Sequence, residues 1–542
     1  MKKNTKKWKP LQLAGVSAVA LSLFVAGCST GEKGSSGATP SPGSASAAPT
    51  ASASKEKLQL RWFVSGKANS TLPKDDFVKQ AIEEKFNVTL NLEYMAAGTD
   101  YDNKISVMLA GGDAPDMFIA SGTASQKYAT DGLLADMTPF VSAKTMPNYF
   151  KYWFSEKELP GYAVEKGTFW RAPLPFAKKT YRSYYVRKDW LDKLGLKVPT
   201  TYDEMLNVMR KFTFDDPDGN GKKDTYGLSA AGNGNSLSYD FPDWLQNGLM
   251  GATMMVGDQI IDTQTDPKIQ NVIDGVVKEI AEGIVDPDWF LNKGTQHLDK
   301  AAQGKVGIVL SDETFALDSI PTSYQNKTKA ISPQANWIAF SPFKDSGVWV
   351  ENIPGFPFLF SKTTATKAPA KITRSVEILD WLASPEGYQL THYGKEGVHY
   401  TKSGSTLTLN NAAIKKDIID QGDFLNIWNF FTRLDEPERL GLTVVDPSQT
   451  DRDREILKTV KSYKYLPSIG VSTAPPAGIN IGDFRTKMRE FHVKLIFEEK
   501  SGANWPKYRA ELMTKYQGKA IFDEYAVQVS AAQGKTFKFV SN

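Results

Sequence analysis

Residues 58–94 read LQLRWFVSGKANSTLPKDDFVKQAIEEKFNVTLNLEY. The opening LQLRWFV (58–64) is a short apolar run suited to a buried strand. In KDDFVKQAIEEKF (74–86), Phe77, Val78, Ala81, Ile82 and Phe86 share one helical face. VTLNLEY (88–94) alternates apolar and polar strictly, the period of a strand. Further on, DNKISVMLAGG (102–112) predicts a helix ended by glycine, and PDMFIA (115–120) another buried strand. Strands alternating with helices predict an α/β domain with a mostly parallel sheet. Ligands of such sheets bind beyond the carboxyl ends of the strands, which puts Trp62, Phe63, Ser121 and Gly122 near a site.

The chain around this stretch is large enough for two to four domains: 542 residues, 41% hydrophobic, with 29 Phe, 21 Tyr and 12 Trp. Its formal charge of +4 is concentrated at the start, where residues 1–27 hold five Lys and no acid. Without them 60 basic residues face 61 acidic ones, a net of −1. A near-neutral body gives no electrostatic case for nucleic-acid binding.

Those lysines belong to a leader. MKKNTKKWKP is followed by 17 uncharged residues, LQLAGVSAVALSLFVAG, and then Cys28. A basic start, a short apolar stretch and small residues before a cut make a secretory signal over residues 1–27. Val25-Ala26-Gly27-Cys28 resembles the bacterial lipobox, which implies that Cys28 becomes the first mature residue and carries a diacylglyceryl group. Cys28 is the single cysteine, so no internal disulfide forms. Residues 28–55 are almost all Ser, Ala, Gly, Pro and Thr after that cysteine, too polar to offset ordering entropy. They read as a flexible tether. The expected product is an exported protein held by lipid at the extracytoplasmic face of the cell membrane.

Three segments carry a family resemblance. LAGGDAPDMFIASG (109–122), YYVRKDWLDKLGLKVPTTYDEM (184–205) and VEILDWLASPEGYQLTHYGKEGVHYT (376–401) resemble, in this order, the family 1 extracellular solute-binding proteins of ABC importers, in particular their large Gram-positive lipoproteins. The resemblance implies a two-lobed periplasmic-binding-protein-like fold of type II, its lobes joined by crossing hinge strands. It places crossings near 176–189 and 355–364, with lobe one at about 56–178 and 360–420 and lobe two at about 179–359 and 421–542. It also implies a monomer that captures a solute between its lobes and hands it to ABC permease subunits in the membrane.

FDDPDGNGKKDTYG (214–227) matches the first nine positions of an EF-hand loop. Asp216, Asp218, Asn220 and Asp224 would give side-chain oxygens and Lys222 a backbone carbonyl, with water or Thr225 as a sixth ligand. The bidentate Glu expected at position 12 is Gly227. Asp, Asn, Pro and Gly also favour plain turns. The expectation is a structural calcium site that staples a surface loop after a helix at 202–212.

Sugar rings present apolar C–H faces that stack on flat aromatic rings, while their hydroxyls seek planar polar partners. Trp62, Trp170, Trp244, Trp349 and Trp428 lie near Gly, Pro, Asn or Asp, whereas Trp190 and Trp381 sit in helical patterns that belong to a core. Asp240, Asp243, Asp312 and Glu313 lie near strand ends or loops and suit sugar hydroxyls. The ligand set expected is Trp62, Ser121, Trp170, Trp244, Glu313 and Trp428, and the ligand an oligosaccharide.

No catalytic residue is singled out. The four histidines, His297, His392, His399 and His492, make no H-E-x-x-H, and His392 and His399 read as loop residues. With 61 acids a glycosidase pair stays open as a rival, as does a ligand sensor for a membrane signalling system with the same fold.

Overall fold

The computed structural model describes residues 56–539 except 67–69, 97, 121, 163–168, 171–176, 344–348, 354–357 and 433–435. The leader, Cys28 and the tether lie outside the described residues.

In the first lobe, strands Leu58–Gly66 and Val88–Ala96 pair in parallel from Leu58↔Val88 to Gly66↔Ala96. Met117–Ile119 joins in parallel on the other side, and Phe358–Phe360 closes the sheet antiparallel to it. Helices cover both faces, so successive strand residues enter different cores. Leu60, Trp62, Val64, Met117, Ile119, Phe358 and Phe360 pack on one side. Phe63, Phe118 and Leu359 pack on the other with Tyr101, Ile105 and Leu134. The helix predicted at 74–86 runs over Phe77–Phe86, because Asp76 caps it by accepting from the Val78 and Lys79 N–H groups.

In the second lobe, Arg182–Arg187 is antiparallel to both Val306–Asp312 and Trp337–Phe340, and Tyr226–Leu228 runs parallel to Val306–Asp312. Helices Tyr202–Phe214, Ile269–Glu282, Ile481–Lys494 and Trp505–Thr514 supply its core. The two sheets give the mixed α/β, two-lobed architecture expected.

Two boundaries differ from expectation. Residues 421–445 were placed in lobe two, but Phe424, Leu425, Ile427, Trp428, Phe431 and Leu442 pack in the lobe-one core. The apolar run FLNIWNFF docks on the sheet: Phe431 lies 5.6 Å from Trp62 and 5.3 Å from Phe358, ring centre to ring centre. The second crossing precedes 358, since Phe358–Phe360 is already a lobe-one strand.

Candidate ligand site at the hinge

Three chain segments are laced together where the lobes join. Trp349–Val350 pairs in parallel with Tyr465–Leu466. The Asn352 N–H donates to the Lys178 carbonyl at 2.7 Å, and its side-chain amide donates to the Ala177 carbonyl and the Thr180 hydroxyl. The Tyr465 hydroxyl donates to the Thr180 carbonyl at 2.7 Å, and the Trp349 indole to the Arg182 carbonyl at 3.1 Å. These bonds hold Tyr181, Trp349 and Tyr465 as half-buried rings. Tyr181 and Tyr465 meet edge to face at 6.0 Å and 80°. Lys461 lies over Tyr181 at 5.6 Å and Lys179 over Tyr465 at 5.4 Å.

Carboxylates from both lobes face this platform. Burial raises the Tyr181 hydroxyl pKa, and Glu436, Glu313 and Glu438 raise it further. Burial first, then Tyr181 and Glu313, raise that of Tyr465. Glu313 follows strand Val306–Asp312, and its N–H donates to the Tyr181 carbonyl at 3.1 Å. Aromatic faces ringed by ammonium groups and carboxylates can stack on a sugar ring while bonding its hydroxyls.

Of the six residues in the ligand set expected from sequence, Glu313 joins this platform, and Trp349, one of the tryptophans singled out beside that set, supplies one of its rings. Trp62, Trp244 and Trp428 are core residues, and this corrects the expectation that they line the pocket. Their indole N–H groups are satisfied internally, by the Ser375 hydroxyl at 3.1 Å, the Ser238 carbonyl at 2.9 Å and the Asp76 carboxylate at 2.7 Å. Each indole is at most 2% exposed. Trp170 is half-buried on the Phe63–Tyr101–Phe118 cluster, and its sheltered indole N–H has no partner among the described residues. Ser121 lies outside the described residues. Asp240 and Asp312 bond local backbone and hydroxyl groups. Asp243 is buried against Tyr202 and Glu279, so it does not face a ligand either. Tyr181 and Tyr465 were missed, although both stand in basic, tyrosine-rich stretches, FAKKTYRSYY and KSYKYLP. His392 is also not a loop residue: it ends helix Pro385–Tyr393 with its ring 3.8 Å from that of Tyr388.

The 216–224 loop folds around its own acids. Asp216 accepts from the N–H groups of Gly219, Asn220 and Gly221. The Asn220 amide nitrogen donates to Asp218 at 2.8 Å and Asp224 at 3.1 Å. It thus puts a positive dipole end between two carboxylates. Burial and the neighbouring Asp216 and Asp224 raise the Asp218 pKa. Two features limit the donor set. The Thr225 hydroxyl is buried and donates to the Phe212 carbonyl at 2.7 Å, so it is no sixth ligand. Gly227 packs so tightly on helix Tyr202–Phe214 that a Cβ would sit 2.5 Å from the Met209 Cα, leaving no room for a glutamate. Among the described residues no three His, Cys, Asp or Glu side chains form a ready metal cluster.

The sequence profile of the bacterial extracellular solute-binding proteins matches residues 69–389, more than half of the chain, and the chain belongs to that family. It is 25% identical over 426 residues to the polygalacturonan/rhamnogalacturonan-binding protein YtcQ of Bacillus subtilis, covering 76% of this chain and 77% of that one. It is 23% identical to the B. subtilis lipoprotein LipO over 420 residues, with the same coverage of both chains. Over 275 residues it is 25% identical to the fructooligosaccharide ABC transporter substrate-binding protein FusA of Streptococcus pneumoniae, covering 47% of this chain and 50% of that one. Among solved structures, a solute-binding protein of Bifidobacterium longum infantis that binds HMO and is associated with an ABC transporter superposes with a TM-score of 0.66. That match is 18% identical and covers 89% of this chain and all of the other. An EF-hand mutant of FusA in complex with fructo-nystose superposes at 0.59 with 16% identity, over 88% of this chain and 99% of the other. These structural likenesses speak for the two-lobed fold, and YtcQ and FusA are binding proteins rather than enzymes.

Proposed function

We propose that the chain is the lipid-anchored, extracytoplasmic substrate-binding subunit of an ABC importer, and that it captures an oligosaccharide on the hinge platform for delivery to a membrane permease. The observation that carries the reading is the trio Tyr181, Trp349 and Tyr465, half-exposed and ringed by carboxylates and ammonium groups, where the lobes join. Relatives that bind polygalacturonan or fructooligosaccharides support the ligand class. A ligand drives lobe closure only by its differential affinity for the closed form, so contacts from both lobes are required. Binding calorimetry against an oligosaccharide panel tests the reading; release of shorter sugars on incubation would instead establish a hydrolase.

The anchor rests on Val25-Ala26-Gly27-Cys28 and on the lipoprotein relative. Cys28→Ala moves the protein from the detergent phase to the aqueous phase; equal partitioning of variant and wild type refutes the anchor.

Calcium is the structural ion of the 216–224 loop in this reading. Asp216, Asp218, Asn220 and Asp224 with the Lys222 carbonyl give five ligands, and water completes the shell. The ion replaces the Asn220 dipole as the positive charge between Asp218 and Asp224. At a calcium concentration 100-fold above Kd it adds about 2.7 kcal/mol of stability. Chelation therefore lowers Tm in the wild type and leaves Asp216→Ala unchanged; no chelator response in the wild type makes the loop a plain turn.

A further inference from the structure

A cavity of about 370 Å3 opens in lobe one beside the start of helix Phe77–Phe86. This is within the range of small-ligand sites, about 300–1,000 Å3. Its polar lining is Lys74, Asp75, Lys395, His399, Asp417 and Gln421, over a floor of Phe77 and Phe424. The loop that carries Lys74 and Asp75 leads from the carboxyl end of strand Leu58–Gly66 into that helix.

Its charges are held apart. Lys74, Asp75 and Lys395 line one cavity yet form no ion pair among the described residues. Lys395 instead sets its ammonium over the Phe77 ring at 5.0 Å. The His399 ring is buried and stacked on Phe77 at 5.5 Å. Its Nδ1 accepts from the Lys395 N–H at 2.8 Å, which places the proton of the neutral ring on Nε2. That Nε2 is sheltered, has no hydrogen-bond partner among the described residues and stands 3.6 Å from Asp417. Gly394 makes this seating possible: its φ is +86°, and a Cβ there would lie 2.4 Å from the His399 Nδ1.

We propose that this cavity binds one neutral, polyhydroxylated unit, a pyranose ring, bridged between the two lysines and the two aspartates. The lining itself carries two ammonium groups and two carboxylates around a buried imidazole, and Lys416 stands 3.7 Å from Asp417 beside it. An anion bound at Lys74 and Lys395 would face Asp75 and Asp417, and a cation at the aspartates would face the lysines. A hydroxyl meets both demands, since it accepts from an ammonium and donates to a carboxylate. His399 acts as a positioning residue, holding Asp417. The inference shares its ligand class with the proposed function but shares no residue with the hinge.

The test is NMR of the full chain with labelled histidine, the His399 resonances being assigned with His399→Gln. The probes are methyl glucopyranoside, glycine and inorganic phosphate. The glucoside is expected to shift the His399 ring signals saturably, and neither glycine nor phosphate to do so. Asp417→Asn and Lys74→Ala should each weaken the response about tenfold or more, the scale of one hydrogen bond to a charged group. Tyr465→Ala at the hinge should leave it intact, so failure of the hinge reading does not mimic failure here. No saturable shift with the glucoside, an equal shift with glycine or phosphate, or full affinity in Asp417→Asn overturns the proposal.

Discussion

Tyr465 at the hinge and Trp428 in the lobe-one core are both large aromatic residues that donate one hydrogen bond to the protein. Tyr465 spends its hydroxyl on the Thr180 carbonyl and leaves its ring half-exposed between strands. Trp428 gives its indole N–H to the N-cap Asp76, and its ring stacks on Phe431 at 5.6 Å with no exposure. The first arrangement fastens a ring at its edge and keeps a face available. The second ties a loop, a helix start and a sheet face into one core. Aromatic identity therefore says little about ligand contact; where the polar atom points and whether a face is left open decide it.

The comparison breaks most visibly at Trp428. Trp428→Ala removes a fully buried ring and leaves Asp76 without its indole donor. The expected cost is about 3–5 kcal/mol, the range for emptying such a site. Denaturant unfolding checks it: a loss under 1 kcal/mol would mean that the ring is not a core element.

A smaller effect concerns a buried polar cluster of lobe two. Asp243 and Glu279 are each 2% exposed and share the Tyr202 hydroxyl, at 2.9 and 3.3 Å. Burial raises the Asp243 pKa to about 6 and, together with Asp243, raises that of Glu279 further above its ordinary range. Unfolded, both titrate near about 4. The folded state thus binds more protons between about pH 4 and pH 6 and above, and stability falls as pH rises through that window. Glu279→Gln should flatten this fall between pH 5 and pH 8, because the variant lacks the acid whose pKa burial and Asp243 raise. Identical Tm–pH curves for variant and wild type would contradict the raised Glu279 pKa.

Much of the fold was legible in the sequence. The apolar run LQLRWFV, the alternation of VTLNLEY and the apolar stripe at Phe77, Val78 and Ile82 correspond to observed elements. These signals are local, so a linear reading captures them. The 421–445 segment was misassigned because its partner surface, Trp62 and Phe358, is more than 60 residues away in the chain. The site was less legible for the same reason. Tyr181, Trp349 and Tyr465 lie in three distant segments, brought together by strand pairing, the Asn352 bonds and the bonds from Tyr465 to Thr180 and from Trp349 to Arg182. Loop composition around Trp62, Trp244 and Trp428 suggested exposure, yet Ser375, Ser238 and Asp76 supply the partners that let those indoles be buried.

The most direct test of the hinge reading is Tyr465→Ala, measured by calorimetry with an oligosaccharide that binds the wild type and by thermal unfolding without ligand. A half-exposed ring that stacks on a sugar should cost about 1–3 kcal/mol of binding when removed, with the unliganded Tm nearly unchanged. Undiminished affinity in Tyr465→Ala, or an affinity loss accompanied by a collapse in Tm like that expected of Trp428→Ala, would contradict it.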